Sequence, residues 1–186
     1  MYESCEENKE PSIDIFTNFL PSDIYQEIFN ISRNLSWLPW KKLDKKYSTH
    51  FHLPIIDEKN SLEINKINKP YNFIFKEIKK IYKKTYQPHN LYYNHCKHGD
   101  EVGVHTDRNT NKKNKTFILY LTDFWDADYH GETMFYNKEK NRILAGSMPF
   151  PNSAVIFDSN IPHSVSPISK LVCLDRIVLV SQMEAI

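Results

Sequence analysis

The sequence predicts a mostly β fold, a jelly roll resting on two N-terminal helices. Three observations carry the prediction. From residue 91 onward, short apolar runs recur between turn residues, the pattern of an all-β sandwich or jelly roll. All four glycines, Gly99, Gly103, Gly131 and Gly146, fall after residue 98, so tight turns concentrate in the second half. Before that point, two stretches repeat their apolar residues at helical spacing. The expected organisation is one domain over residues 1–186, with residues 12–90 as helical support and residues 91–182 as the jelly-roll core.

Taken in order, residues 12–19 read as an opening strand. A helix is expected from about Ser22, with Ser22 or Asp23 as N-cap, Ile24, Ile28, Ile31 and Leu35 on one face, and Pro39 as its stop. A second helix starts after Pro70. Its apolar stripe is Ile74, Ile78, Ile81 and Tyr82, and its wet side carries Lys76, Lys79, Lys80, Lys83 and Lys84. That lysine row reads as a solvated face rather than a binding patch. Eight strands follow, at residues 91–96, 101–104, 116–122, 132–136, 142–145, 153–158, 163–166 and 173–182. In the third, alternation sends Phe117, Leu119 and Leu121 toward the helices and Thr116, Ile118, Tyr120 and Thr122 into the barrel.

Composition narrows the function. A net charge of +1 over 186 residues argues against general affinity for nucleic acid or membranes. Cys5, Cys96 and Cys173 show neither paired nor metal-type spacing, which fits free thiols in a reducing compartment. The acidic N-terminus has no secretory pattern, and no apolar run is long enough to span a bilayer. A soluble cytoplasmic protein is expected.

The chemistry centres on His105-Thr106-Asp107, His163 and Arg176. A His-x-Asp triplet alone is weak, since Asp107 can equally cap a turn. Its surroundings strengthen it. The triplet closes an extended run, and residues two apart on a strand face the same side, so His105 and Asp107 can meet one metal ion. His163 follows the strand at 153–158 after a turn. Two imidazoles and one carboxylate occupy one face of a six-coordinate iron and leave the other open. Arg176 lies in an apolar strand, where burying a guanidinium is costly unless an anion meets it.

These residues and their order resemble the iron(II)/2-oxoglutarate-dependent dioxygenases, in their prolyl-4-hydroxylase-like branch. The likeness extends to Tyr120-Leu121-Thr122, Trp125 and His130-Gly131-Glu132-Thr133, with Thr122 where the family pattern has asparagine and His130 where it has a first glycine. The resemblance implies a double-stranded β-helix and iron(II) held by His105, Asp107 and His163. It also implies 2-oxoglutarate bound by Arg176 and Tyr120, O2 as oxidant, and ascorbate as a compatible reductant. The activity implied is hydroxylation of an unactivated carbon in a prolyl, amino-acid-type or small-metabolite substrate. Cys96 stands where this branch often has a tyrosine, so Asn94 is the alternative co-substrate contact and Cys96 reads as inward packing. Tyr120 has a plainer reading as a core tyrosine.

His95 is expected to point outward as an ordinary surface histidine, and His98 and His130 to lie in turns. The substrate is expected to enter between the polar loop at 108–115 and an aromatic segment at 35–53. Trp37, Trp40 and Arg108 are the candidate contacts there, although a loop that merely covers the core edge reads equally well. Two other readings stay open: a cupin-like metal protein acting as isomerase or hydrolase, and a non-catalytic interaction module on the same scaffold.

Overall fold

The computed structural model describes residues 12–39, 51–56, 69–107 and 114–186. Two antiparallel sheets face each other. The larger runs β1 (Ile13–Phe16), β9 (Ala154–Asp158), β6 (Lys115–Tyr120), β11 (Arg176–Ala185), β4 (Tyr86–Cys96), β3 (Phe51–Ile56) and β2 (Leu38–Pro39), in that spatial order. The smaller runs β5 (Val102–His105), β10 (His163–Val165), β7 (Thr133–Tyr136) and β8 (Ile143–Ser147). Strands β4 to β11 divide between the sheets in the jelly-roll order, with β7 and β8 both in the smaller one, which fulfils the expected fold class.

Alternation along the strands builds two separate apolar layers. Leu91, Tyr93, Phe117, Leu119 and Leu121 pack outward with Tyr25, Ile28, Tyr71, Ile74 and Ile78 of helices α1 (Ser22–Arg33) and α2 (Lys69–Tyr82). Ile118, Tyr120, Val178 and Val180 point inward and meet Phe135, Val155 and Phe157 between the sheets. The parity expected for β6 is therefore the parity found. A third cluster of Cys96, Trp125, Ile168 and Val172 closes the end of the barrel beside Arg176.

Several local expectations need correction. Pro21 occupies the N-cap of α1 and no side chain caps it, although Asp23 still places its charge in the first turn, where the helix dipole favours an anion. The helix ends at Arg33, where the Asn34 amide donates to the Ile31 carbonyl, well before Pro39. Ile81 is 42% exposed and does not belong to the buried stripe of α2. Part of the expected loop at 35–53 is sheet instead: β2 and β3 pair with each other, and β3 pairs with β4. Lys115 likewise begins β6 rather than ending a loop, and its ammonium lies 3.0 Å from Asp158. Among the described residues, no helix is long and apolar enough to cross a membrane.

Candidate active site

His105 and His163 face each other directly across the pairing of β5 and β10. Cross-strand neighbours share a face at close range, and the two imidazole centroids are 4.3 Å apart. Asp107, two residues beyond His105, brings its carboxylate to the same point. Its oxygens lie 3.7 Å from His105 Nε2 and 3.8 Å from His163 Nε2. One ligand atom from each of the three residues fits within a 4.8 Å cluster. The two carboxylate distances are too long for hydrogen bonds and suit groups that share an ion between them.

The supports of this trio set its chemistry. His105 Nδ1 lies 2.8 Å from the Gly103 carbonyl, and His163 Nδ1 lies 3.0 Å from that of Ile161. A carbonyl can only accept, so each ring donates an Nδ1–H to it and turns Nε2 toward Asp107. Burial lowers the pKa of His163, against an opposing pull from Asp107, which keeps that ring neutral and able to ligate. Thr116 Oγ1 donates to Asp107 Oδ2 at 2.6 Å, and the Asp107 amide donates to the Ser159 carbonyl at 3.1 Å. Thr116 belongs to the large sheet and His105 to the small one, so Asp107 is fixed from both. Phe157 and Phe135 wall the His163 ring on its inner side.

Further along the barrel lies the second half of the site. Arg176 opens β11 and is only 2% exposed. Its Nε donates to the Gly131 carbonyl at 2.8 Å and its Nη2 to Thr133 Oγ1 at 2.9 Å. The Tyr120 hydroxyl donates to the same Thr133 oxygen at 2.8 Å, and the guanidinium sits 5.4 Å from the Tyr120 ring centroid. Among the described residues, no carboxylate lies within ion-pair distance of Arg176. A buried cation without a counter-ion is expensive, so this pocket suits an anionic ligand. A second orphan agrees: Ser147, paired with Thr133 across β7 and β8, has a buried hydroxyl that finds no partner among the described residues. The donor set fits a carboxylate.

Thr133 is the functional residue that the sequence reading left in a motif without a role. It fixes Tyr120 and Arg176 relative to each other through one oxygen. Gly131 is also needed locally. Its φ is +76°, and a Cβ there would meet Ile168 at 3.2 Å, Trp125 at 3.3 Å and Arg176 at 3.4 Å. Cys96 lies opposite Arg176 in the β4–β11 pairing. Burial pushes its thiol up to about 11 against the nearby guanidinium, so it stays protonated and packs inward.

The remaining candidates separate. Asn94 faces inward from β4, and its Oδ1 is 2.9 Å from His52 Nδ1. Trp37 lies on the opposite, helix-side face, with its ring centroid 6.4 Å from that of Tyr93 and 4.8 Å from that of His95. It belongs to the outer layer and does not share the space lined by Tyr120. His95 does point away from the barrel, yet it is buried rather than on the surface, with Nε2 3.0 Å from Asp175. Trp40 and Arg108 lie outside the described residues, as does the loop from 108 to 113.

Comparison with known proteins identifies the arrangement. Residues 89–181 match the family profile of the 2OG-Fe(II) oxygenase superfamily, half of the chain. No curated protein sequence matches significantly. Among solved structures, the chain is similar to a Pseudomonas putida prolyl-4-hydroxylase at 15% identity and a TM-score of 0.68, covering 94% of this chain and 93% of that one. It is also similar to a Trichoplax adhaerens prolyl hydroxylase in complex with a hypoxia inducible factor peptide, at 16% identity and a TM-score of 0.65, with 92% and 83% covered. A viral collagen prolyl hydroxylase from Paramecium Bursaria Chlorella virus-1 gives 14% identity and a TM-score of 0.63, with 94% and 96% covered. The fold is thus that of the prolyl-hydroxylase-like oxygenases. Together with the matched profile, it shows that the chain belongs to the 2OG-Fe(II) oxygenase superfamily and is a dioxygenase that works with iron(II), 2-oxoglutarate and O2.

Proposed function

We propose that this protein hydroxylates an unactivated carbon of a prolyl or other amino-acid-type substrate, in a peptide or as a small metabolite. In this reading His105, Asp107 and His163 hold iron(II), and Arg176, Tyr120 and Asn94 hold 2-oxoglutarate. The observation that carries it is the pairing, inside one barrel, of a two-histidine, one-carboxylate cluster with a buried arginine that has no acidic partner among the described residues.

Each residue has a defined task. The Nε2 atoms of His105 and His163 and the Asp107 carboxylate would hold the ion. Asp107 also offsets the ion's charge. Arg176 and Tyr120 grip the far carboxylate of 2-oxoglutarate, with Thr133 holding both donors in place. Ile118, Val178, Val180, Phe135 and Phe157 keep water away from the reacting centre. Iron and 2-oxoglutarate, when bound, would supply the oxidising power, with one atom of O2 ending in the product hydroxyl and the other in succinate as CO2 is lost.

The prolyl class draws its support from the neighbours, three of which are named as prolyl hydroxylases. Free thiols at Cys96 and Cys173 fit a cytoplasmic setting. No observation favours an isomerase, a hydrolase or a non-catalytic module. The deciding experiment incubates anaerobically purified protein with iron(II), labelled 2-oxoglutarate and either proline-containing peptides or a metabolite extract, then admits air. Succinate release coupled to a gain of one oxygen in a peptide or amino acid is the expected result. Succinate release with no oxygenated amino-acid-type product would overturn the substrate class, and its absence under all conditions would overturn the activity.

A further inference from the structure

Strand β3 extends the large sheet beyond β4, and its register sets His52 opposite Asn94. Asn94 alternates with the outward-facing Tyr93, so its side chain lies on the barrel side. The same ladder continues from Asn94 to Val178 and on to Tyr120, and the next inward row holds Cys96 and Arg176. Asn94 therefore stands one row from the arginine, on the path between it and the metal-binding trio.

An asparagine amide is two-ended, with an acceptor oxygen and a donor NH2. Which end faces the barrel decides whether it attracts or repels a carboxylate. His52 Nδ1 lies 2.9 Å from Asn94 Oδ1, and the His52 ring is held 4.5 Å from the ring of Tyr92. We propose that His52, protonated on Nδ1, is a positioning residue that claims the Asn94 oxygen and so turns the Asn94 NH2 group toward 2-oxoglutarate. The proposal rests on the reading above that Asn94 lies against the co-substrate. Burial lowers the pKa of His52 despite the Asn94 hydrogen bond, so near neutral pH the ring holds a single proton. Its position on Nδ1 or Nε2 sets the orientation of Asn94. With the proton on Nε2, Nδ1 would accept from the amide NH2, and the Asn94 oxygen would face the carboxylate of the ligand.

Two measurements test this on the full chain. Nitrogen-15 spectra of the wild-type protein report the tautomer directly and require no variant; the proton is expected on His52 Nδ1, and an Nε2–H ring would overturn the proposal. Calorimetric titration of the anaerobic iron(II)-loaded protein with 2-oxoglutarate then compares His52→Phe, Asn94→Ala and the double variant. Phenylalanine keeps a ring against Tyr92 and removes the ring nitrogens, Nδ1 among them. Each single change should weaken binding by about five- to tenfold, the size of one hydrogen bond, while the double variant should equal Asn94→Ala. His52→Asn, whose amide nitrogen takes the place of Nδ1, should recover most of the loss. If Asn94→Ala leaves affinity unchanged, the co-substrate reading of Asn94 falls and takes the proposal with it. If Asn94→Ala weakens binding but His52→Phe has no effect or adds to it independently, only the role of His52 is wrong.

Discussion

Replacing Thr133 by valine keeps the branched shape of the side chain and removes one oxygen, and the consequences can be worked out. That oxygen accepts from Tyr120 at 2.8 Å and from Arg176 Nη2 at 2.9 Å, all three residues being buried. A buried donor deprived of its acceptor costs about 1–3 kcal/mol, with charged groups at the upper end. Tyr120 keeps a poor fallback in the Ser147 carbonyl at 3.4 Å, so its share is near the lower end. Arg176 retains the Gly131 carbonyl through Nε but loses its Nη2 acceptor. The expected total is about 3 kcal/mol, or a fall of roughly 6–12 °C in Tm for a chain of this size. Urea denaturation should show the loss as a lower midpoint with an unchanged slope. Saturating 2-oxoglutarate should narrow the gap, because a carboxylate offers Arg176 a replacement acceptor. A loss below about 1 kcal/mol without ligand would mean that Thr133 is not the shared acceptor.

Three more outcomes follow from the same geometry. Asp107→Ala should reduce iron(II) affinity, read by anaerobic titration, by more than the roughly 10–100-fold expected for the supporting change Thr116→Val; equal losses would refute Asp107 as a ligand. Arg176→Lys should raise the Kd for 2-oxoglutarate about tenfold or more, since an ammonium cannot reproduce the two-pronged contact, and an unchanged Kd would move the anchor elsewhere. His130 holds φ 55° and ψ −144°, a region that suits glycine. His130→Gly should therefore stabilise the fold by about 1 kcal/mol, with strain relief of about 1–3 kcal/mol set against the entropy of a freer unfolded chain; thermal unfolding at a lower temperature would contradict this.

Much of the barrel was legible because its strands alternate cleanly. Thr116 to Leu121 assigns each residue to a layer, and the i, i+2 spacing of His105 and Asp107 places both on one side. What brings His163 to them is a pairing between strands nearly sixty residues apart, and here the order of elements stood in for contact information. Thr133 was harder to read, since its role arises where three strands approach and nothing local marks it as an acceptor. β3 escaped for a different reason. Phe51-His52-Leu53-Pro54-Ile55-Ile56 has no polar alternation and contains a proline, which normally argues against an inner strand. That same strand supplies His52. The helix boundaries misled as well, because Pro21 took the N-cap that Ser22 and Asp23 seemed to offer.

The direct pairing of His105 with His163 has a consequence for the strand that carries the first of them. β5 is four residues long and forms the rim of the small sheet, pairing among the described residues only with β10. Such a short margin is held weakly by its backbone ladder. An ion gripped by His105, His163 and Asp107 would act as a clasp across that ladder, and Asp107 would fasten it in turn to Thr116 on the opposing sheet. Because side chains alternate, a slip of one residue between β5 and β10 would turn one imidazole out of the barrel, so the metal would also lock the register. Chelation should then be felt first at this margin. Amide exchange in β5 should quicken before the central strands β6 and β11 respond, leaving the rim as the last piece of the barrel to close when iron arrives.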